Sequence, residues 1–408
     1  MCIGASRGPL NVFFLLGACA FAGGFALRAV DPVVLPIATH FGVPVSTAAL
    51  LSTAYAIPYA IAQPVLGAIG DRLGKERLMR TCVAGLALAL AAGALAPSFA
   101  VLVATRAVAG VFGGGLIPLV LACVGDRVPI ERRHVALGRM LFAIISGQML
   151  GSAVSGLVAG ALGWVAVLLL AAALAAATAA LAWRTLGVAG AGDRRPVAPT
   201  SFARSWRTLF ANPLTPWVYG AVFAEGALFY GLFPYMGEVL VARGAVAPAA
   251  APAAAGAVLG AFGLGGVAFA AAIGVLLRAL GTRRLCIVGT LAAAGSLAGL
   301  AGAATWPIAA LAMAVTGFAF YMVHSTVQTA ATELAPAARA TALAFFSGSF
   351  FSGQGLGPLA VGASLHRVGA TPTLAALSVL ALGLGAVVVL RIAHAATTPP
   401  ATRSSTER

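Results

Sequence analysis

Acidic residues are the scarcest chemistry in this chain: ten Asp and Glu stand against 25 Lys and Arg in 408 residues, and charged residues make up only 9%. Hydrophobic residues make up 61%, and the mean hydropathy is +1.01. A soluble domain with so few charges could not cover its apolar surface, so the solvent must be lipid. A formal charge of +15 and a pI of about 11.1 would point a soluble chain toward nucleic acid. Here they pose a question of topology, and no nucleic-acid partner is expected. Cysteine is sparse too. Cys2, Cys19, Cys82, Cys123 and Cys286 are scattered without CxxC or CxxH spacing, so no disulfide framework, metal site or cofactor is expected. The phosphate-binding pattern GxxxxGK[ST] is missing, because Gly74-Lys75 is followed by Glu76. That excludes an ATP-driven pump built from this chain alone. With no HExxH and no acid–histidine cluster in the sequence, an enzyme is not expected.

What the chain has instead is long apolar runs. A helix crossing a bilayer needs roughly 20 mostly apolar residues. Twelve runs qualify: 11–37, 45–69, 79–97, 99–121, 138–161, 164–185, 214–241, 252–277, 284–303, 306–330, 340–364 and 372–392. Arg7 ahead of an apolar run, with Leu16-Gly17-Ala18-Cys19, faintly resembles a lipoprotein leader. The apolar stretch continues past Cys19, so an uncleaved first helix is expected. The longest polar stretch, 187–212, reads as a linker. It divides the chain into an amino-terminal six-helix bundle (1–186), a carboxy-terminal one (213–393) and a tail (394–408).

Placing the connections on alternate sides of the membrane puts 21 of the 25 Lys and Arg on one side, with only Arg243 and Arg367 on the other. The positive-inside rule makes the rich side cytoplasmic, with both termini and the linker, in an inner (plasma) membrane. The two halves also repeat at an offset of about 206 residues. Ser146-Gly147-Gln148-Met149-Leu150-Gly151-Ser152 in helix 5 answers Ser352-Gly353-Gln354-Gly355-Leu356-Gly357-Pro358 in helix 11. Phe21-Ala22-Gly23-Gly24 with Pro32 is echoed by Phe223-Ala224-Glu225-Gly226 with Pro234. A parallel repeat of this kind is a mark of secondary transporters, whose substrate site lies between the halves.

Between helices 2 and 3 runs Gly67-Ala68-Ile69-Gly70-Asp71-Arg72-Leu73-Gly74-Lys75-Glu76-Arg77, with a worn copy at Gly274–Arg284 that lacks the acid. Asp71 is suited to accept from unpaired N–H groups at a helix start, and Gly74 to take a left-handed turn. Gly67 and Gly70 would admit a close neighbouring helix. With Arg106-Ala107-Val108-Ala109-Gly110 in helix 4 and the glycine-rich helix 5, this motif resembles the major facilitator superfamily over essentially the whole chain. The closest resemblance is to its twelve-helix drug or metabolite:proton antiporters. The resemblance implies an all-α membrane protein of two pseudo-symmetric six-helix bundles rocking about a central cavity. It also implies that the Asp71 loop, with Arg72, Lys75 and Arg77, stabilises the outward-facing state through contacts between the halves.

Four charged residues sit well inside spans: Arg28 and Asp31 in helix 1, Arg106 in helix 4 and Glu225 in helix 7. Each costs about 2.5–3.5 kcal/mol at mid-helix, which argues for a use. Arg28 and Asp31, three apart, either neutralise one another as a structural pair or leave Asp31 to exchange a proton with the solute. Arg106 resembles the helix 4 arginine of proton-linked family members; it pairs with Asp31, binds an anionic solute or snorkels at the outer end. Glu225 is a cavity acid or an interface-packed glutamate. Gln63, Gln148, His324, Gln328 and Gln354 line the cavity or bond helix to helix, at on the order of 0.6 kcal/mol each. Phe223, Phe229, Tyr230, Phe233 and Tyr235, with Phe345, Phe346, Phe350 and Phe351, form an apolar wall or pack ordinarily. Gly147, Gly151 and Ser155, answered by Gly353, Gly357 and Pro358, make a small-residue stripe for close helix packing. Family antiporters carry glycine-proline-glycine-glycine here, and this helix 5 lacks the proline.

The expected function is alternating-access transport of small organic solutes, by proton-coupled efflux from a monomer in the lipid bilayer. Proton-coupled uptake of an organic anion and a non-transporting sensor on the same fold are the alternatives. Since the worn repeat keeps the glycines and arginines, Asp71 is the residue that topology leaves unexplained. Asp71→Asn is expected to slow transport without abolishing solute binding, as measured by transport and binding on the same preparation.

Overall fold

The computed structural model describes residues 9–186, 207, 209–336 and 339–393. Most of the expected linker (187–206 and 208) and the expected tail (394–408) therefore lie outside the described residues. Within them every element is helical. The amino-terminal bundle comprises α1 (Pro9–Arg28), α2 (Leu50–Leu73), α3 (Lys75–Ala94), α4 (Phe99–Arg127), α5 (Ile130–Leu162) and α6 (Trp164–Thr185). The carboxy-terminal bundle opens with α7 (Thr215–Glu225). A continuous helical run, Ala251–Ala301, follows and is broken at Gly281 (φ +67°) into α8 (251–280) and α9 (282–301). Then come α10 (Trp306–Glu333), α11 (Arg339–Val368) and α12 (Ala370–Val387). The helices α3, α4 and α5 run several residues past their expected apolar ends. A helix that leaves the hydrocarbon can continue through charged residues, because its backbone bonds are already internal.

The repeat is visible in the backbone. The six glycines with positive φ fall into three pairs spaced 202 to 207 residues apart: Gly42 with Gly244, Gly74 with Gly281, and Gly163 with Gly369. Each pair ends helices at equivalent points of the two bundles.

Two helices expected to be continuous are broken, and they are equivalent. After α1 the chain makes a 3₁₀ turn, Asp31–Val33, before a short helix Val34–Phe41. After α7 a π-turn (Gly226–Tyr230) and a 3₁₀ turn (Phe233–Tyr235) precede Met236–Ala242. Pro32 and Pro234 sit at the centres of the 3₁₀ turns. Neither can donate the N–H that an α-helix would send back four residues, to Arg28 or Tyr230. The sequence carried this signal in the echoed prolines, and the apolar run hid it.

Within each bundle the glycine stripe sets the spacing. A side chain at Gly147 or Gly151 of α5 would run into the backbone of Phe21 or Phe25 in α1. At Gly353 and Gly357 of α11 it would run into Phe223 and Ala227 of the α7 strand of helix. Between bundles, α5 crosses α8 with Gly156 against Pro252 and Gly256, and α2 meets α11 with Ile57 against Gly355. The Thr53 hydroxyl donates to the Gly355 carbonyl at 2.6 Å, and the Tyr59 and Phe351 rings lie 4.4 Å apart. The two 3₁₀ turns also touch. These contacts lie in the half of the molecule away from the basic loops.

Gly156→Leu forces a branched side chain into backbone, whereas Gly160→Leu meets only the Ala253 side chain. The first is expected to cost about 1–3 kcal/mol by overpacking and the second little, as measured by thermal unfolding of the purified proteins.

Candidate functional site

The break after α1 places Asp31 at the seam between the bundles, three residues beyond Arg28. Both are buried, at 3% and 5% exposure. Arg28 Nη1 lies 3.3 Å from Asp31 Oδ2, and Ser52 of α2 donates to Asp31 Oδ1 at 2.8 Å. The other terminal nitrogen of Arg28 donates to Gln354 Oε1 of α11, in the opposite bundle. The guanidinium also lies over the rings of Tyr230 (4.2 Å) and Phe233 (5.2 Å). One cation thus joins a carboxylate of one bundle to an amide and two rings of the other. Its Nε is buried without a partner.

Arg106 does not snorkel. It is 2% exposed, lies 4.3 Å over the Tyr55 ring and donates to the Ala26 carbonyl at 3.4 Å. Its recorded hydrogen bond holds α4 to the last turn of α1, so it braces the helix that carries Arg28.

A second polar centre lies in the carboxy-terminal bundle. Glu225, at the end of α7, meets His324 of α10 with Oε2 and Nδ1 at 2.7 Å. No acid–histidine cluster was expected, since 99 residues separate them; the fold brings them together. Glu225 Oε1 is buried without a partner. The His324 ring is walled by Phe320 (5.0 Å), Phe350 (5.2 Å) and Phe346 (5.4 Å).

Between the bundles is a narrow cleft of about 20 Å³, lined among others by Arg28, Gln148, Ser152, Tyr230, Phe233 and Tyr321. The cleft thus gathers Arg28, Gln148, Tyr230 and Phe233 from the expected residues, with Gln354 bonded directly behind it. Gln328 is exposed and is not among the residues lining it, and Phe223 is 37% exposed. Phe262, Phe320 and Tyr321 were missed. Phe320, Tyr321 and His324 share one turn of α10, a spacing that a search for aromatics beside a buried histidine would have found.

The loop motif differs from expectation in detail. Helix α2 continues through Asp71 to Leu73, and the cap of α3 is Gly74, at φ +96°. Asp71 therefore belongs to the last turn of α2 instead of capping α3; its side chain lies outside the described ones. A Cβ at Gly70 would meet Leu119 of α4, while one at Gly67 would meet nothing. Lys75 pairs with Asp126 at 2.7 Å and Glu76 pairs with Arg127, tying the start of α3 to the end of α4 within one bundle. Arg72 and Arg77 are exposed.

Two six-helix bundles enclosing a charged, aromatic-walled cleft define a polytopic membrane transporter. Comparison with known proteins agrees. The profile of the Major Facilitator Superfamily matches residues 14–358, with a second match over 245–408. The chain belongs to that family. A multidrug efflux pump of Mycolicibacterium smegmatis, LfrA, is 29% identical over 50% of this chain and 41% of its own length. An uncharacterised transporter of the same type from Bacillus subtilis, YfhI, is 30% identical over 38% of this chain and 39% of its own. The matches thus span about two fifths of these relatives. Among solved structures, a D-xylose–proton symporter superposes with a TM-score of 0.74 at 17% identity, covering 94% of this chain and 97% of the symporter. A bacterial homologue of the lysosomal transporter Spinster, inward-facing and unoccupied, gives 0.67 at 18% identity, covering 96% of each.

Arg28→Ala would leave Asp31 buried without its cation. It is expected to cost about 3–5 kcal/mol, read as a lower thermal midpoint. Adding Asp31→Asn should recover most of that loss, since the double variant has no stranded charge. Equal instability of the single and double variants would remove the ion pair from the account.

Proposed function

We propose that this chain is a proton-coupled secondary transporter that moves small amphiphilic organic solutes outward by alternating access. In this reading it is a monomer of the inner membrane, with the basic loops and both termini on the cytoplasmic side. The observation that carries the reading is the sharing of Arg28 between Asp31 of one bundle and Gln354 of the other. With Asp31 ionised, the guanidinium is held at the seam and the half away from the basic loops stays closed. Protonation of Asp31 removes the charge that holds Arg28, and the contact between bundles weakens. The proton therefore acts on the residue that positions Arg28, whose bond to Gln354 must break when the cavity changes sides, and that link is what coupling requires. The Glu225–His324 pair supplies a second titratable centre on the opposite wall.

The cleft suggests the solute. Tyr230, Phe233, Phe262 and Tyr321 offer ring faces, and Arg28, Gln148 and Ser152 offer polar atoms. A compact molecule with an apolar or aromatic body and a hydrogen-bonding end suits that lining. The resemblance to an efflux pump supports the outward direction. Arg28 favours a second reading, uptake of an organic anion with a proton: once Asp31 is neutral, the cation is free to pair with the solute. The mixed-charge loop at Gly70–Arg77 is proposed to gate the change of state, with Lys75 and Glu76 anchored to α4. A sensor on the same fold would bind a solute without moving it.

The deciding experiment is flux in proteoliposomes against a panel of aromatic and amphiphilic solutes under an imposed pH gradient. Wild type is expected to move solute opposite to the proton gradient, whereas solute moving with the protons would support the anion symport. Asp31→Asn is expected to lose gradient-driven flux, by two orders of magnitude or more, while remaining folded. Gradient-driven flux of wild-type size in Asp31→Asn would sink the role given to Asp31, and binding without flux in wild type would favour the sensor.

A further inference from the structure

A second cavity lies on the outside of the carboxy-terminal bundle, away from the cleft. Helices α7, α11 and α12 leave between them an apolar groove of about 550 Å³. Small residues make it deep, among them Gly220, Ala224, Ala227, Gly357, Ala360 and Ala376. Such residues ordinarily let helices close on one another, but α12 packs chiefly on α9 and only lightly on α7. Gly220, Ala360 and Ala376 are exposed, so the groove opens outward, where the bilayer lies. Helix α12 lines it from Thr373 to Val387, a rise of roughly 21 Å at about 1.5 Å per residue. That is longer than half of a hydrocarbon core about 30 Å thick, so it can hold an acyl chain along its length.

One end of the groove is polar. Ser364 and Thr373 line it, with their hydroxyl oxygens 2.8 Å apart. The last turn of α11 continues from there and carries His366 and Arg367, both exposed. Arg367 follows Ser364 by three residues, which keeps it on the same side of α11. From the far end of the broken helix 7, Arg243 donates to Thr371 Oγ1 at 2.6 Å, and its Nε is buried without a partner. Glu238 lies near His366 and supplies one negative charge against the two arginines. Arg243 and Arg367 are the two basic residues that the connections assign to the otherwise cation-poor side of the membrane. Both lie beside the polar end of the groove: Arg367 three residues beyond Ser364, and Arg243 bonded to Thr371, two residues before Thr373.

We infer that this groove is a docking site for one anionic phospholipid, its acyl chain lying between α7, α11 and α12 and its phosphate at Arg243 and Arg367. An apolar groove with a hydroxyl-lined end and guanidinium groups on the adjoining turns matches a lipid in both chemistry and order: tail toward mid-membrane, headgroup at the surface. The site is independent of the transport reading, since it uses none of the cleft residues.

The test is native mass spectrometry of the full chain, delipidated in detergent and titrated with phosphatidylglycerol or phosphatidylcholine of identical chains. Wild type is expected to retain one phosphatidylglycerol per monomer, with an affinity about tenfold above that for phosphatidylcholine. The double variant Arg243→Ala/Arg367→Ala should lose that preference while still binding both lipids weakly. Ala376→Phe, a change on the exposed face of α12 that fills the groove, should weaken both. The proposal is overturned by equal retention of the two lipids by wild type, by an unchanged preference in the arginine variant, or by a lipid-free dimer that Ala376→Phe dissociates.

Discussion

A guanidinium group carried into the interior of a membrane protein needs acceptors, because lipid offers none. Arg28 finds an Asp31 carboxylate in its own bundle and the Gln354 amide in the other, and it rests against two aromatic rings. Charge in an apolar surrounding cannot be left half satisfied, so the two bundles are bound together wherever this residue is bound. Arg28 lines the narrow cleft and joins the bundles alongside the Gly156–Gly256 crossing and the Thr53–Gly355 bond. It also explains how a chain with so few acids can afford one here.

The broken helices make this arrangement possible. Pro32 and Pro234 interrupt equivalent helices, and the resulting 3₁₀ turns face one another across the seam. An unbroken helix 1 would aim Asp31 along a regular helical face, three residues on from Arg28 and tied to its register. The turn instead frees Asp31 to take a hydrogen bond from Ser52 while Arg28 reaches across. The backbone carbonyls released by the breaks are accommodated by turns within protein, the one setting in which irregular backbone is tolerated at membrane depth. The glycine stripes of α5 and α11 complete the frame: by holding α1 and α7 at backbone contact they fix where both breaks point.

The asymmetry between the bundles is as informative as the repeat. Glu225 occupies the position of Gly23, and its partner His324 has no counterpart that the echoes revealed. The amino-terminal half therefore carries an acid–arginine pair at its break, and the carboxy-terminal half an acid–histidine pair immediately before its own. Sequence reasoning found three of those four residues from the cost of charge in a span, and His324 from its polarity. It could not pair Glu225 with His324, because contacts between helices 99 residues apart leave no trace in local spacing.

Class, helix number and the repeat were readable from the sequence by itself, because they depend on the solvent. Lipid demands long apolar runs and internal backbone bonding, and basic residues sort to one side, so composition and spacing carry the answer. The prolines and glycines marking the breaks were legible as echoes, though not as breaks. Only the tertiary structure decided which polar groups meet: that Arg28 spans the bundles, that Arg106 braces α1 instead of snorkelling, that Gln328 is turned away from the cleft, and that Asp71 ends α2. Those outcomes depend on the rotation of each helix about its axis and on close approach at a few glycines. Neither is fixed by hydrophobicity, since a lipid-facing and a helix-facing residue can be equally apolar.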